Sequence, residues 1–339
     1  MYPYNWIQWL LFFYFYCFAG WCIESTIVSV KEKRVINRGF LHGPVLPIYG
    51  TGAIMVLICT IPVRENIVLV YFFGMIGATV LEYITGWGME KIFKVRYWDY
   101  SQSFLNLNGH ICLVSSLFWG VLSIFMTDVV QEPVEGIILS LSNTVSLILA
   151  IVITVVFAAD LYVSLKAALD LAKFLGKMQE IRVELEELAE QIREDAMRAV
   201  KERSAETIGN MVEYSIAMKE NIKGLPEKAK EKQAFVMNFL KELPQETKLK
   251  LPDGWSRQEL AEQLFELQEE KRSAIIERLK SLQGERTEVL KKVSGGERKR
   301  LIRRHPSAIS VRFKEAFEEV KITIEEKRNQ KDKKEKENS

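Results

Sequence analysis

FFYFYCFAGWCIESTIVSV, residues 12–30, is an apolar run with one carboxylate, Glu24, deep inside it. LVYFFGMIGATVLEYITGWG, residues 69–88, repeats the construction with Glu82. A soluble fold gains nothing from a carboxylate surrounded in this way. In a bilayer, an acid near the middle of a span costs about 2.5–3.5 kcal/mol on insertion scales, so by default it marks a working site. Each glutamate falls about two helical turns before a cluster of Lys and Arg, which sets both on the same side of a membrane.

Working outward, five stretches approach the roughly 20 apolar residues that a bilayer crossing takes: 6–30, 44–61, 67–87, 104–126 and 134–161. The first has no basic start and no small-residue cleavage site, so it reads as a span and not as a signal peptide. The connection after the first run carries Lys31, Lys33, Arg34 and Arg38, and the one after the third carries Lys91, Lys94 and Arg96. The second connection has only Arg64, and the fourth, residues 127–133, has acids and no base. The positive-inside rule then sets the N-terminus outside and the C-terminus in the cytoplasm of a cell-membrane, multi-pass protein.

The bulk composition hides this division. Among 339 residues, 46 Lys and Arg nearly balance 44 Asp and Glu, and the mean hydropathy is near zero because an apolar half and a charged half cancel. The four cysteines, Cys17, Cys22, Cys59 and Cys112, form no C-x-x-C pair and read as small buried residues. The expected fold is therefore all-α and polytopic. A five-span transmembrane domain covers residues 1–161, a cytosolic helical bundle with a long coiled-coil helix covers 162–327, and an unfolded charged tail covers 328–339.

With that topology, Glu24, Arg38, His42, Glu82, Glu90, Asp99, Asn106, Asn108 and His110 converge on the cytoplasmic mouth of the bundle. Gly74, Ala78, Glu82 and Gly86 recur at four-residue steps, and Gly20 precedes Glu24 by the same step, so both acids lie on faces suited to close packing. Two readings are open: the acids pair with Arg38 or Arg96 to lock the bundle, or they bind a solute. The candidate substrate-binding set is Glu24, Arg38, His42, Glu82, Glu90, Asp99 and Asn108. No His, Cys or carboxylate spacing fits a metal, and no cofactor is implied.

The inner loops add a second signal. NRGFLHGPVLPIYGTG, residues 37–52, is too dense in Gly and Pro for a continuous helix, and predicts a broken or re-entrant start to the second span. KVRYWDYSQSF, residues 94–104, mixes bases with aromatics as an interfacial anchor would, but Asp99 has no use in an anchor at an anionic leaflet. RGFLHGPVLPIYG, then Glu82 with GWGMEKIF, then WDYS and NGHICL, resemble in order the motifs of the bacterial ABC-transporter type IV (CmpB-like permease) family, over roughly residues 5–160. The resemblance implies a polytopic permease component and leaves its substrate open. It carries over onto Arg38, Gly39, Phe40, Gly43, Pro44, Pro47, Tyr49, Gly50, Glu82, Glu90, Trp98, Asp99, Tyr100, Ser101, Asn108 and Gly109. His110 stands where the family pattern varies, which argues against a catalytic part for it.

Beyond residue 161, Met178, Ile181, Leu185, Leu188 and Ile192 recur at steps of three and four among charged residues, a heptad seam in one helix predicted to reach about Lys223. Gly224-Leu225-Pro226 would end it, a shorter helix would reach Leu243, and Ser256 with Glu259 forms a capping box for a helix to Val293. VSGGERKR, residues 293–300, looks like an ABC ATPase signature, but the sequence has no G-x-x-x-x-G-K-[ST] loop, so it reads as a helix stop and a basic segment. That segment suits contact with anionic lipid and not nucleic acid. The expected function is a permease component with a polar site at the cytoplasmic mouth, completed by a homodimer or a partner ATPase. The alternatives are an enzyme at the inner leaflet with Glu82 or Asp99 as base and His42 as a second acid–base or metal ligand, or a scaffold acting through the coiled coil. With no complete catalytic motif, the residues favour a role other than an enzyme.

Overall fold

A computed structural model describes residues 4–209, 225–242 and 256–337, and the described residues are helical with no strand. The chain forms two compact units, one of residues 1–175 with 293–339 and one of residues 176–292. In the first unit α1 spans Trp6–Lys31, α2 Pro47–Thr60, α3 Ile67–Phe93 and α4 Leu113–Leu139; α5, Asn143–Gly209, starts there. Four of these, α1, α3, α4 and α5, are long and apolar enough to cross a membrane, while α2 with its 3-10 turn is a shorter apolar helix, Pro47–Val63.

Why the first unit belongs in lipid is visible in α3. Its buried face holds Gly74, Ala78, Glu82 and Gly86, while Phe72, Phe73, Ile76, Val80, Ile84 and Trp87 are exposed. Small and polar residues inside with large apolar ones outside invert the pattern of a soluble protein, and the exposed apolar surface is far larger than water tolerates. Close packing follows from the small residues. A Cβ on Gly74 would come within 2.3 Å of Ser123 on α4, and one on Gly50 of α2 within 2.4 Å of Cys17 on α1.

Two expected spans shift. The fourth helix begins at Leu113, not 104, because Asn108 (φ 52°) and Gly109 (φ 73°) adopt left-handed turn conformations and Cys112 caps the first turn of α4. It continues through residues 127–133, expected as a loop, and ends at Leu139. Pro133 is tolerated there because a π turn over Met126–Val130 rearranges the hydrogen bonds in the preceding turn. The next helix therefore starts at Asn143, not 134, with the Ser142 hydroxyl accepting from the backbone N–H of Val145 at 3.3 Å.

The second unit holds the rest of α5 with α6 (Leu225–Glu242), α7 (Arg257–Glu266) and α8 (Glu269–Val293). Met178, Ile181, Leu185 and Ile192 are buried along α5, as is Ala189, while Leu188 is half-buried. Ion pairs from Asp195 to Lys271 (3.6 Å), from Glu184 to Arg278 and from Lys177 to Glu285 (3.3 Å) run in opposite chain directions, so α5 and α8 are antiparallel. The Ser256 capping box is present, but the helix it opens stops at Glu266, where buried Leu267 turns extended. The predicted stop at Gly224 and the loop after Leu243 lie outside the described residues.

The C-terminal segment differs most from expectation. α9 (Gly296–Arg304) and α10 (Lys314–Glu337) group with the membrane helices, and the stretch from 328, expected to be unfolded, continues α10. Burial ties α9 and the first turns of α10 to the first unit: Leu301, Ile302, Ala308, Phe317, Val320 and Ile324 are all covered. Ile309 exchanges both backbone hydrogen bonds with Arg96 of the loop after α3 (2.7 and 3.0 Å), and the His305 ring sits 4.7 Å from that of Tyr97.

Candidate functional site

The loops after α1 and after α3 both turn back along the helix that precedes them. In the first, Ile36 N–H donates to Ser29 Oγ (2.9 Å), Arg38 N–H to Ser25 Oγ (3.1 Å), Trp21 Nε1–H to Asn37 Oδ1 (2.8 Å) and Leu46 N–H to the Cys17 carbonyl (2.9 Å). The chain thus retraces α1 from Ser29 to Cys17, roughly 18 Å at 1.5 Å per residue, before α2 starts with Pro47 in its first turn. In the second, Arg96 meets Glu90, Trp98 packs over Gly86 and Tyr100 reaches Glu82, so the chain retraces two turns of α3. Irregular backbone beside helices of this depth is tolerated because protein covers it.

Each returning loop leads to a tyrosine that meets a helical glutamate. On α1, Gly20 and Glu24 lie one above the other. The missing Cβ of Gly20 leaves room for the Tyr49 ring, since a Cβ there would fall 2.2 Å from Tyr49 Cγ. The Tyr49 hydroxyl then donates to Glu24 Oε1 at 2.8 Å, and Arg38 Nε stands 3.9 Å from Glu24 Oε2. On α3, Ala78 and Glu82 repeat the step. Buried Glu82 accepts from Tyr100 Oη (3.2 Å), Trp119 Nε1 (2.9 Å) and Ser115 Oγ (3.5 Å). The donors on Glu82 are neutral, and among the described residues no Lys, Arg or His forms an ion pair with it. α2 packs between α1 and α3, and Tyr49, Tyr100 and Glu24 are in electrostatic range of one another.

Residues 11–165 match the family described as "Putative ABC-transporter type IV". The match spans the membrane module, a little under half of the chain, and says what that module is similar to. No curated protein and no solved structure matches the chain.

Within the matched module, the remaining predicted residues form two further clusters. Arg96 bridges Glu90 (2.6 Å) and Asp99 (3.3 Å), His110 Nε2 lies 3.3 Å from Glu90, and Trp98 Nε1–H donates to the His110 carbonyl (3.0 Å). Gly109 is required beside them, as a Cβ would meet Arg96 Nη1 at 2.6 Å and Asp99 Oδ1 at 2.8 Å. Burial opposes ionisation of Asp99, but hydrogen bonds from Ser101 and Arg96 outweigh it and hold the carboxyl below its ordinary value. Burial and the nearby Arg96 charge lower the His110 pKa. Asn108 Nδ2–H donates to the Tyr83 hydroxyl at 3.1 Å, apart from both Glu–Tyr pairs.

His42 belongs to neither pair. Its Nδ1 faces Asp160 Oδ1 (2.7 Å) and Ser164 Oγ (3.0 Å), and its Nε2 faces Glu297. The Asp160 carboxylate also accepts the backbone N–H groups of His42 (2.8 Å) and Gly43 (2.7 Å). Both ring nitrogens are occupied on opposite sides, and among the described residues no group of three His, Cys, Asp or Glu is placed to hold a metal ion. Phe40 packs on Phe93 and Tyr97, tying the two loops together.

Asp160 escaped the sequence reading although it carried the same signal as Glu24 and Glu82, a lone acid at the end of LILAIVITVVFAAD. Trp119 and Ser115 gave no such signal, because a Trp or Ser inside an apolar helix is ordinary. Glu297 and Arg304 are brought in by long-range packing of α9 and cannot be read from spacing.

Proposed function

We propose that the protein is the permease-type membrane component of an ABC-transporter-like system, with a polar site in the inner half of the bundle that takes a cation or a protonated polar solute. The chain crosses five times, N-terminus outside, and both returning loops open toward the cytoplasm. α2 spans the outer half and the first loop completes the crossing. The observation that carries this reading is the duplicated Glu–Tyr construction, Glu24 with Tyr49 and Glu82 with Tyr100, delivered by two helix–loop–helix halves. Glu24 has one guanidinium beside it, Arg38, while Glu82 has only neutral donors, so an ionised Glu82 would carry a negative charge for a cationic partner to meet. Broken helices that bring polar groups to mid-depth are how many transporters build such sites. The chain has no phosphate-binding loop of its own, so an ATPase would come from another chain, with a homodimer as a second way to complete the pathway.

In this reading Glu90, Asp99 and Asn108 hold the second loop, and His42 anchors the first through Asp160. An inner-leaflet enzyme using His42 has no support from the geometry, because Ser164 shares Nδ1 with Asp160 and Nε2 is taken by Glu297.

The test separates site from scaffold. Glu82→Gln keeps an oxygen for Trp119 and an amide N–H for the Tyr100 hydroxyl, so folding should change by less than about 1 kcal/mol. Glu82→Leu strands both donors and should cost about 2–6 kcal/mol, from about 1–3 kcal/mol for each. The Gln variant, present in the membrane at wild-type amounts, should fail to restore the phenotype of a deletion strain. Full complementation by Glu82→Gln would refute the site; equal loss of folding in both variants would make Glu82 structural.

A further inference from the structure

The first loop and α9 enclose a second feature, whose lining shares no residue with the Glu–Tyr pairs. A groove of about 350 Å³ is lined by Arg34 and Asn37 from the loop and by Lys299, Arg300, Arg303 and Arg304 from α9. Five cations therefore face one concave surface. Their neutralisation is incomplete: Glu297 reaches Arg300 at 3.3 Å but also bonds His42, and Glu32 is 3.9 Å from Arg34. Lys299 and Arg303 form no ion pair among the described residues. An adjoining cavity of about 70 Å³ extends the basic lining through Lys321 and Arg328, against one acid, Glu325.

Like charges repel, so a fold that gathers five of them around a groove without full internal neutralisation is complementary to an anion from outside. Guanidinium forks match phosphate oxygens bidentately, and the volume lies in the range of small-ligand sites. Position narrows the source. Arg34 is three residues past the last residue of α1, Lys31, at the level where lipid headgroups lie against that helix. Val35 at the rim is 98% exposed, and Ile23, Ile27 and Val30 on α1 are exposed below it, an apolar track for an acyl chain.

We propose that this groove binds a phosphate-bearing anion, presented as the headgroup of an acidic phospholipid beside α1. The occupant is wired to the first loop. Arg304 donates to the Leu41 and His42 carbonyls, and its own carbonyl accepts from Arg38, the partner of Glu24. The proposal does not depend on the transport reading, since it concerns other residues and another ligand.

The test uses the full chain, delipidated in a neutral detergent. It is titrated separately with short-chain phosphatidylglycerol, phosphatidylcholine of the same chain length and inorganic phosphate. Binding is read by native mass spectrometry and by the thermal midpoint. Phosphatidylglycerol should bind as one preferred equivalent, and Lys299→Ala with Arg303→Ala should weaken it about 30-fold, at about a factor of five per base. Lys271→Ala with Lys280→Ala removes the same charge from the second unit and should leave binding unchanged. Saturation by inorganic phosphate with the same sensitivity to the Lys299/Arg303 change would support phosphate recognition from a soluble source. The proposal is overturned if phosphatidylglycerol binds no better than phosphatidylcholine and phosphate does not saturate, or if both double variants weaken binding equally.

Discussion

Replacing Arg96 by Ala should destabilise the membrane module by about 2–3 kcal/mol. Arg96 lies between Glu90 at 2.6 Å and Asp99 at 3.3 Å, and its side chain is only 14% exposed. Removing one member of a fully buried pair costs about 3–5 kcal/mol because a charge is left uncompensated. Here Glu90 and Asp99 are 24% and 21% exposed, so water takes up part of the load and the lower figure applies. The backbone pairing of Arg96 with Ile309 survives the substitution and keeps the C-terminal segment in place. Adding Glu90→Gln and Asp99→Asn removes the stranded charges and should recover at least half of the loss. The assay is equilibrium unfolding of the full chain in mixed micelles by tryptophan fluorescence, a signal weighted to the membrane module because all tryptophans except Trp255 lie there. The acid limb gives an independent check. The Asp99 carboxyl is held below its ordinary value, so its stabilisation is complete above about pH 4 and lost as pH falls through the lowered value. The Arg96→Ala chain should show a shallower loss there. A change below about 0.5 kcal/mol, or no recovery in the triple variant, would refute the pairing argument.

Two other perturbations test packing and titration. Gly50→Ala drives a methyl to within 2.4 Å of Cys17 Sγ and 2.6 Å of the Phe13 carbonyl, so α1 and α2 must separate; a loss of about 1–3 kcal/mol or more is expected, whereas Gly136→Ala, which meets nothing, should stabilise α4 by about 0.5–1 kcal/mol. Thermal unfolding of the two variants side by side checks the sign. Burial holds His305 neutral and lowers its pKa to about 3. Its folded value lies below the unfolded one, so stability is full above about pH 6.5 and falls as pH drops toward 3, and His305→Phe, which keeps a ring against Tyr97, should flatten that window.

The first and third helices were legible because an uninterrupted apolar run bounded by polar residues and bases has one reading: α1 starts at Trp6 and α3 at Ile67, as the sequence indicates. The fourth and fifth were misplaced for a specific reason. Asp128, Gln131, Glu132 and Pro133 look like a turn, but a π turn lets the helix carry Pro133 onward, and the true break falls at the inconspicuous residues 140–142. The glycines at Gly20 and Gly74 were readable as close contacts, though not what filled them, while Gly50 was legible only as part of a helix break. Glu24 and Glu82 were found from the bilayer cost of an acid. Their tyrosine partners could not be paired with them from sequence, because the loops that bring Tyr49 and Tyr100 back to depth are set by tertiary contacts.

The discontinuity of the first unit bears on how this protein is made. Residues 293–337 emerge from the ribosome only after the whole of residues 176–292, yet Ile309, His305 and Glu297 complete the two returning loops. Folding of α1 to α5 must therefore begin long before the C-terminal segment closes over these loops. During that interval the loops carrying Arg38, His42 and Arg96 are left without their final neighbours. A nascent chain held in this open form is the stage at which a lipid, an assembly factor or a protease has access to surfaces that the finished molecule hides.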